Sequence, residues 1–359
     1  MADALGPETR TRRSPTSETE RRLASLWSQL LGVEALGIDD EFFELGGTSL
    51  LAVRLINEIA REFGQTLPLV SLLRHGSIAA QAVMLDAAEH AGHQRTPLAV
   101  MREGGQTTLV LVHPVGGNIL CYRELIELLP AGVSVLGLQS PGDGVPRQLE
   151  ALAASYVEAL RAQAAEPASI HLLGWSMGGV IAQEMARQME AHGIAPNGVT
   201  MIDSWMAAPQ PQGSQRLEGE TLLLNFLRDL LSGEPLPIDF DSLSRLAEAE
   251  RPAAIVQALK QAGGVGSDLS QEEFLALLGE YRANYDALLG HAPRPTTTPV
   301  RLYRASRGMD FPLLTPFALA EATNLQVVDC EGDHFTVVER DSLREILMHL
   351  ANSGEIAPW

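Results

Sequence analysis

The chain has 359 residues, of which 45% are hydrophobic and 20% charged, and its formal net charge is −19. Its length suits two or three domains of ordinary globular composition. The acidic excess argues against nucleic acid or an anionic membrane as a partner, because both attract lysine and arginine.

The sequence also argues against several other classes of protein. No apolar segment reaches the roughly 20 residues that a transmembrane helix needs. The polar start, MADALGPETRTRRSPTSETE, predicts no signal peptide. The two cysteines, Cys121 and Cys330, are predicted to be free thiols in a reducing cytoplasm, and the histidines show no metal-ligand spacing.

Residues 1–15 are polar and predict a leading linker, and residues 16–90 then show helical periodicity. Ser17 and Glu20 form the spacing of a capping box, which predicts the start of the first helix. Further helices are predicted around Leu51–Phe63, at Pro68–Arg74 and after Ser77. Four short helices predict a small bundle, which has no room for a cavity that encloses a substrate.

Residues 91–97 are small and polar and predict a second linker, after which the pattern changes. Apolar runs typical of buried strands recur, and helical stretches such as 149–165 and 177–190 separate them. The runs are TLVLVH, VSVLGLQ, SIHLLGW, VTMIDSW, VRLYRA and LQVVDC. This alternation predicts a mostly parallel sheet with helices on both faces, within a domain that covers residues 98–359.

One interval breaks the alternation. Between Trp205 and Pro299 no strand is predicted, but the segments TLLLNFLRDLL and EEFLALLGEYRANYDALL are rich in leucine. The sequence therefore predicts a helical insertion over about 207–298. Because the insertion follows a strand end, we interpret it as a lid over an active site. Peripheral packing is the alternative.

Ser176 lies in GWSMGG, which matches the pattern G-x-S-x-G between a predicted strand and a predicted helix. A tight turn from strand to helix exposes a serine oxygen above the sheet and makes it a candidate nucleophile. A helix-capping serine is the alternative. Such a nucleophile needs a histidine base, and His334 follows the last predicted strand, although a surface histidine would also fit there.

Two aspartates compete as the acid that orients the histidine. Asp203 ends the predicted strand VTMID, where neighbouring parallel strands place functional groups on the same edge. Asp310 follows the strand VRLYRA in the loop RGMDFP. The position at a strand end favours Asp203 and leaves Asp310 as the alternative.

The loop HPVGG at 113–117 ends the first strong strand. Its glycines free backbone N–H groups to face an oxyanion. The amides of Val115 and Met177 are therefore candidates for an oxyanion hole, and a plain glycine turn is the alternative.

At this point the chain resembles a known arrangement. Through DDEFFELGGTSLLAVRL, residues 16–90 resemble a peptidyl carrier domain of nonribosomal peptide synthetases. Through HPVGG, GWSMGG, MIDSW and GDHF, residues 98–359 resemble the type I thioesterase that ends such assembly lines, which has an α/β-hydrolase fold with a lid. In these thioesterases the acid follows the earlier strand, which again favours Asp203. The resemblance implies a C-terminal piece of a larger synthetase.

The resemblance also implies a role for Ser49. In carrier domains, the serine of GG-x-S-L receives 4′-phosphopantetheine from a separate phosphopantetheinyl transferase. Thr48 stands where an aspartate is common. Ser49 opens a predicted helix, whose free N–H groups favour a phosphate. We therefore predict covalent attachment at Ser49, with a simple helix cap as the alternative.

The predicted function is release of a peptidyl or acyl thioester by way of an acyl-Ser176 intermediate, through hydrolysis or macrocyclisation, in the cytoplasm. The implied partners are upstream condensation and adenylation domains. A polyketide or mixed line, an editing thioesterase and a non-catalytic docking module are the alternatives. The sequence does not predict the acyl group.

Overall fold

The computed structural model describes residues 12–65, 67–88, 97–105, 107–163, 169–207, 220–233, 235–263, 266–267, 269–308, 314–316 and 324–356. The chain divides into two compact units, Met1–Arg95 and Thr96–Trp359. Among the described residues, no helix has the length and apolar character needed to cross a membrane.

The first unit contains the four predicted helices. They are α1 (Glu18–Leu31), α2 (Ser49–Phe63), α3 (Ser71–Arg74) and α4 (Ile78–Ala88). The predicted capping box is present, since the Ser17 hydroxyl accepts a hydrogen bond from the Glu20 amide at 3.0 Å. In the core, the fully buried Trp27 makes an edge contact with Phe42 and donates to the Gln81 side chain at 3.2 Å. This bond satisfies the polar atom of the buried indole.

The second unit is built on a seven-stranded sheet in the order β1-β3-β2-β4-β5-β7-β9 and a small sheet of β6 and β8. The strands are β1 (Leu98–Arg102), β2 (Thr107–Val112), β3 (Val133–Leu138), β4 (Ser169–Trp175), β5 (Gly198–Ile202), β6 (Trp205–Ala207), β7 (Val300–Ala305), β8 (Leu314–Pro316) and β9 (Leu325–Cys330). All six predicted strands are present and are parallel to one another. The sequence missed β1, a five-residue antiparallel edge strand with an irregular register.

Helices connect these strands. They are α5 (Arg123–Leu128), α6 (Leu149–Gln163), α7 (Met177–Ala191), α8 (Glu220–Leu230), α9 (Phe240–Ser244), α10 (Arg251–Ala262), α11 (Gln271–Leu289) and α12 (Arg340–Asn352). Across the sheet, the connection from β2 to β3 leads toward one edge, whereas the connections from β3 to β4 and from β4 to β5 lead toward the other edge. Right-handed crossovers therefore place α5 on one face and α6 and α7 on the other. The chain leaves the adjacent strands β2 and β4 toward opposite faces, which opens a crevice at their carboxyl ends.

The predicted helical insertion between β5 and β7 is present as α8 to α11. The expectation that this interval lacks strands is wrong in one place, because β6 begins at Trp205 and pairs with β8. Each of these strands has only three residues, too few for a pattern in the sequence, and they form by pairing across about a hundred residues. Residues 208–219 of the insertion lie outside the described residues.

Candidate active site

Ser176 occupies a strained turn between β4 and α7. Its backbone has φ 57° and ψ −128°, a conformation that costs a non-glycine residue about 1–3 kcal/mol. The turn is held by the Ser176 amide, which donates to the Ile202 carbonyl at 2.9 Å. The hydroxyl makes no capping hydrogen bond to α7. The turn therefore directs this side chain away from the helix, where it lines a cavity.

The glycines around Ser176 are needed because backbone segments pass very close to each other. A Cβ atom on Gly174 would lie 2.0 Å from the carbonyl carbon of Gly178. A Cβ atom on Gly178 would lie 2.3 Å from the carbonyl oxygen of Val112 at the end of β2. Any larger residue at either position would push α7 away from the strands and displace Ser176.

Asp203 and His334 form the second part of the site. Nδ1 of His334 donates a hydrogen bond of 2.7 Å to Oδ2 of Asp203, and the two residues are only 3% and 4% exposed. The Asp203 carboxylate also accepts from the Trp205 indole at 3.2 Å and from the Ala305 amide at 3.0 Å. These bonds fix the carboxylate, and the carboxylate fixes the proton of the imidazole on Nδ1. The other ring nitrogen is then the basic one.

Aromatic side chains hold the His334 ring in place. The ring of Trp175 lies 4.9 Å from the imidazole, centroid to centroid, and Phe335 meets it edge-on at 5.4 Å. The Trp175 indole also donates to the His334 carbonyl oxygen at 2.9 Å. Trp175 thereby links the strand before Ser176 to the loop that carries His334. The motifs predicted the histidine but gave no sign of this enclosure.

Asp203 adopts φ 37°, a left-handed conformation that aspartate tolerates better than most residues. This backbone turn follows β5 directly, and the Asp203 amide donates to the Tyr303 carbonyl of the neighbouring strand at 2.7 Å. Asp310, the alternative acid, lies outside the described residues. The contact with His334 supports Asp203 in this role.

The loop 113–117 lies on the other side of the crevice. Val115 lines the same cavity as Ser176 and His334, and Met177 is the first residue of α7. Within the described part of the chain, no acceptor takes the amide hydrogen of Val115 or of Met177. Both N–H groups therefore remain available for an oxyanion, as the oxyanion-hole prediction requires.

The cavity between these elements is small. Its volume of about 20 Å³ accommodates about one water molecule. It is lined by Val115, Ser176, Trp205, Asp229, Tyr281, Tyr285, Leu288, His334 and Phe335. Four of these residues belong to the helical insertion, and the sequence offered no reason to select them.

Two other histidines are unsuited to act as the base. Burial lowers the pKa of His113 and of His171 to about 4 each. The His113 ring contacts the Tyr156 hydroxyl at 2.7 Å, and the His171 ring contacts the Thr200 hydroxyl at 2.8 Å. Both are neutral, buried parts of the fold near pH 7.

In the first unit, Ser49 is the first residue of α2 and is exposed. The helix is capped by Thr48, whose hydroxyl accepts from the Leu51 amide at 3.2 Å. The simple-cap alternative for Ser49 is therefore wrong, because the preceding residue has that position. An exposed hydroxyl at the positive end of a helix suits a phosphodiester, so the site fits 4′-phosphopantetheine.

Comparisons with known proteins agree with this division of the chain. Residues 107–353 match the family described as thioesterase domain, and residues 21–85 match the family described as phosphopantetheine attachment site. These matches confirm the predicted order of a carrier domain and a thioesterase domain, and the structure confirms the mostly parallel sheet of the second.

Individual relatives come from nonribosomal peptide synthesis. The chain is 29% identical over 306 residues to a dimodular nonribosomal peptide synthase of Bacillus subtilis. The matched segment covers 82% of this chain and 12% of that protein. It is 30% identical over 215 residues to enterobactin synthase component F of Escherichia coli, covering 58% of this chain and 16% of that protein. The structure of a four-domain nonribosomal peptide synthetase bound to AMP and glycine superimposes with a TM-score of 0.66 at 26% identity, covering 99% and 27% of the two chains. The chain thus spans a small part of the length of these relatives.

Proposed function

The chain belongs to the thioesterase domain family and carries a phosphopantetheine attachment domain, and we propose that it releases a peptidyl or acyl chain from a nonribosomal peptide synthetase. The observation that carries this proposal is the buried hydrogen bond between Asp203 and His334 at the cavity that Ser176 lines. Together these residues supply the acid, base and nucleophile of acyl transfer.

We assign the attachment of 4′-phosphopantetheine to Ser49. The exposed hydroxyl, the helix start and the separate cap at Thr48 support this assignment. When bound, the group carries the acyl chain as a thioester on a long arm. The carrier helices themselves need only hold Ser49 at an accessible helix end.

In the proposed reaction, Ser176 attacks the carbonyl carbon of the thioester substrate while the free ring nitrogen of His334 takes the hydroxyl proton. The amides of Val115 and Met177 stabilise the negative charge on the carbonyl oxygen. The carbon–sulfur bond then breaks, and His334 returns the proton to the leaving thiol. The product of this half-reaction is an ester of Ser176.

The second half-reaction repeats these steps with a new nucleophile. His334 removes a proton from water, or from an amine or hydroxyl of the bound chain, and that oxygen or nitrogen attacks the ester carbonyl carbon. The ester bond to Ser176 then breaks, and His334 returns the proton to the Ser176 oxygen. Water releases a free acid, whereas an internal nucleophile releases a ring. The same residues serve both outcomes, and the shape of the closed cavity selects between them.

We propose that α8 to α11 form a lid that opens for the acyl chain. A cavity of about 20 Å³ cannot enclose a peptidyl group, so entry requires the insertion to move. The lid contributes Asp229, Tyr281, Tyr285 and Leu288 to the cavity wall.

The proposed partners follow from the relatives, which are nonribosomal peptide synthetases. Upstream condensation and adenylation domains would supply the chain, and a phosphopantetheinyl transferase would modify Ser49. The free thiols of Cys121 and Cys330 support a cytoplasmic location. An assembly line that also contains polyketide modules would use the same two domains, the carrier domain and the thioesterase domain.

One experiment tests the proposal directly. The chain is loaded with acyl-phosphopantetheine from acyl-coenzyme A by a transferase of broad specificity, and intact-protein mass is followed with time. The parent chain should lose the acyl mass, whereas Ser176→Ala should retain it on the carrier. Ser306→Ala, which changes an exposed serine outside the cavity, should behave like the parent. Equal loss from the parent and Ser176→Ala would contradict the proposal.

A further inference from the structure

One acidic side chain of the cavity has no part in the acyl-transfer steps. Asp229 lies near the carboxyl end of α8, and its carboxyl group lies in the pocket that Ser176 and His334 also line. A carboxylate is unfavourable at this end of a helix, because the helix dipole is negative there. Local helix formation therefore gives no reason for an acid at this position.

The surroundings of Asp229 compensate its charge only in part, through its attraction to a protonated His334. Throughout the described ranges, no side chain or amide donates a hydrogen bond to this carboxylate, and no lysine or arginine lines the pocket. The ionisable groups that face it are His334, Tyr281 and Cys121. Burial raises the pKa of Asp229 to about 6, so the group is mostly ionised at neutral pH.

The carboxylate also lies close to the proposed oxyanion hole. A Cβ atom built on Gly116 would be only 3.1 Å from Oδ2 of Asp229, so the carboxylate packs against the residue that follows Val115. A negative charge beside a developing oxyanion opposes its formation, and the effect is strong in a buried site. A cation next to Asp229 would remove this opposition and stabilise the half-buried charge.

We propose that Asp229 binds a protonated amine of the acyl chain, which makes acyl groups with an ammonium near the thioester carbonyl the preferred substrates. This inference rests on the proposed function, because it names the substrate class of the same cavity. The aromatic rings of Tyr281, Tyr285 and Phe335 form much of the remaining wall. They suit the methylene groups of such a chain and can also contact the cation by their faces.

The test compares two sets of N-acetylcysteamine thioesters of equal chain lengths, one with a terminal amine and one with a terminal methyl group. We expect the full chain to show a kcat/KM about tenfold higher or more for the best amine than for its methyl counterpart, since one well-placed charge pair is worth about that factor. Asp229→Asn should abolish this preference. It should lower the rate with the amine about tenfold relative to the rate with the methyl compound, because only the amine loses a charge partner.

Asp241→Asn is the matched control, because it removes an exposed carboxylate from the same insertion. This variant should keep the preference of the parent. A parent without a preference for amines would overturn the inference, as would an Asp229→Asn variant that slows both sets equally. If both sets of thioesters are released at equal rates and release requires Ser176, the inference of amine binding fails but the proposed function remains supported.

A second measurement separates binding from turnover. Alkyl fluorophosphonates with an ammonium or a methyl terminus should label Ser176, and mass spectrometry identifies the labelled residue. The ammonium reagent should react faster with the parent, and Asp229→Asn should equalise the two rates. Labelling of Ser176 at equal rates in the parent would contradict amine binding, and absence of labelling at Ser176 would contradict the proposed function.

Discussion

The side-chain amide of Asn284, on helix α11, donates a hydrogen bond of 2.9 Å to the backbone carbonyl oxygen of Val115. Asn284 is fully buried, and 169 residues separate the two partners along the chain. The bond joins the helical insertion to the loop whose amide is proposed to bind the oxyanion. The position of this loop therefore depends on the insertion.

Replacement of Asn284 by leucine should impair the reaction more than binding. The change removes the bond to the Val115 carbonyl, and displacement of one oxyanion donor should lower kcat about 10- to 100-fold with little change in KM. Steady-state kinetics with a model thioester measures both constants. Asn225→Leu removes another buried amide of the insertion, which contacts the Tyr285 hydroxyl at 3.5 Å, and should change kcat much less. Equal effects of the two variants would contradict the assignment.

Asp203→Asn should slow release of a model thioester about 10²- to 10⁴-fold, because the amide group that replaces Oδ2 donates to Nδ1 of His334 and holds the imidazole in the wrong tautomer. The backbone should tolerate the change, since asparagine also adopts the left-handed conformation of this residue. Asp310→Asn should cost little. If both variants fold and Asp310→Asn is the slower one, the acid of the site is Asp310.

Substitutions of Thr48 and Ser49 should have different effects, one on the stability of the carrier unit and the other on the attachment of 4′-phosphopantetheine. Thr48→Ala removes the cap of α2 and should lower the unfolding free energy of the carrier unit by about 1 kcal/mol while modification continues. Ser49→Ala should leave stability almost unchanged but prevent the mass gain from coenzyme A and a transferase. Denaturant titration and intact-protein mass test the pair. Uptake of the group by Ser49→Ala would show that another residue is modified.

The raised pKa of Asp229 predicts a pH-dependent stability. Between about pH 4 and pH 6 the folded chain binds more protons at this carboxyl than the unfolded chain, so stability falls as pH rises. Asp229→Asn should therefore be more stable than the parent above pH 6, by about 1–2 kcal/mol after allowance for exposure to the cavity, and equally stable below pH 4. Urea titrations across this range measure the difference. A variant that is less stable than the parent at every pH would contradict a net cost of the Asp229 charge in the folded chain.

The insertion should exchange its amide hydrogens faster than the sheet. We expect lower protection in α8 to α11 than across residues 170–190, because opening for the acyl chain breaks contacts of the insertion and leaves the strand ladder intact. Hydrogen exchange followed by mass spectrometry compares the two regions. Equal protection would argue that the insertion does not act as a lid.

The sequence alone determined the features that are encoded locally. Alternating buried runs and helices predicted the six main strands and their mostly parallel sheet, because burial on both faces leaves a continuous apolar pattern. The turn at Ser176 could be predicted because the pattern G-x-S-x-G is local in sequence and the Cβ atom missing from Gly174 would meet Gly178, four residues on. The helix start at Ser49 could also be predicted from nearby residues, because the apolar periodicity of the helix follows it directly. Only the structure assigned the cap to Thr48.

Only the tertiary structure decided which distant residues meet. Asp203 and His334 are 131 residues apart, and the contact between them exists because parallel strands bring their carboxyl ends to one edge of the sheet. Asp229 and Asn284 reach the same edge through packing of the insertion, which helical periodicity does not determine. The short strands β1 and β6 were missed for the same reason. β6 has three residues and pairs with β8 across about a hundred residues, and β1 is an antiparallel edge strand with an irregular register, so neither leaves a clear pattern.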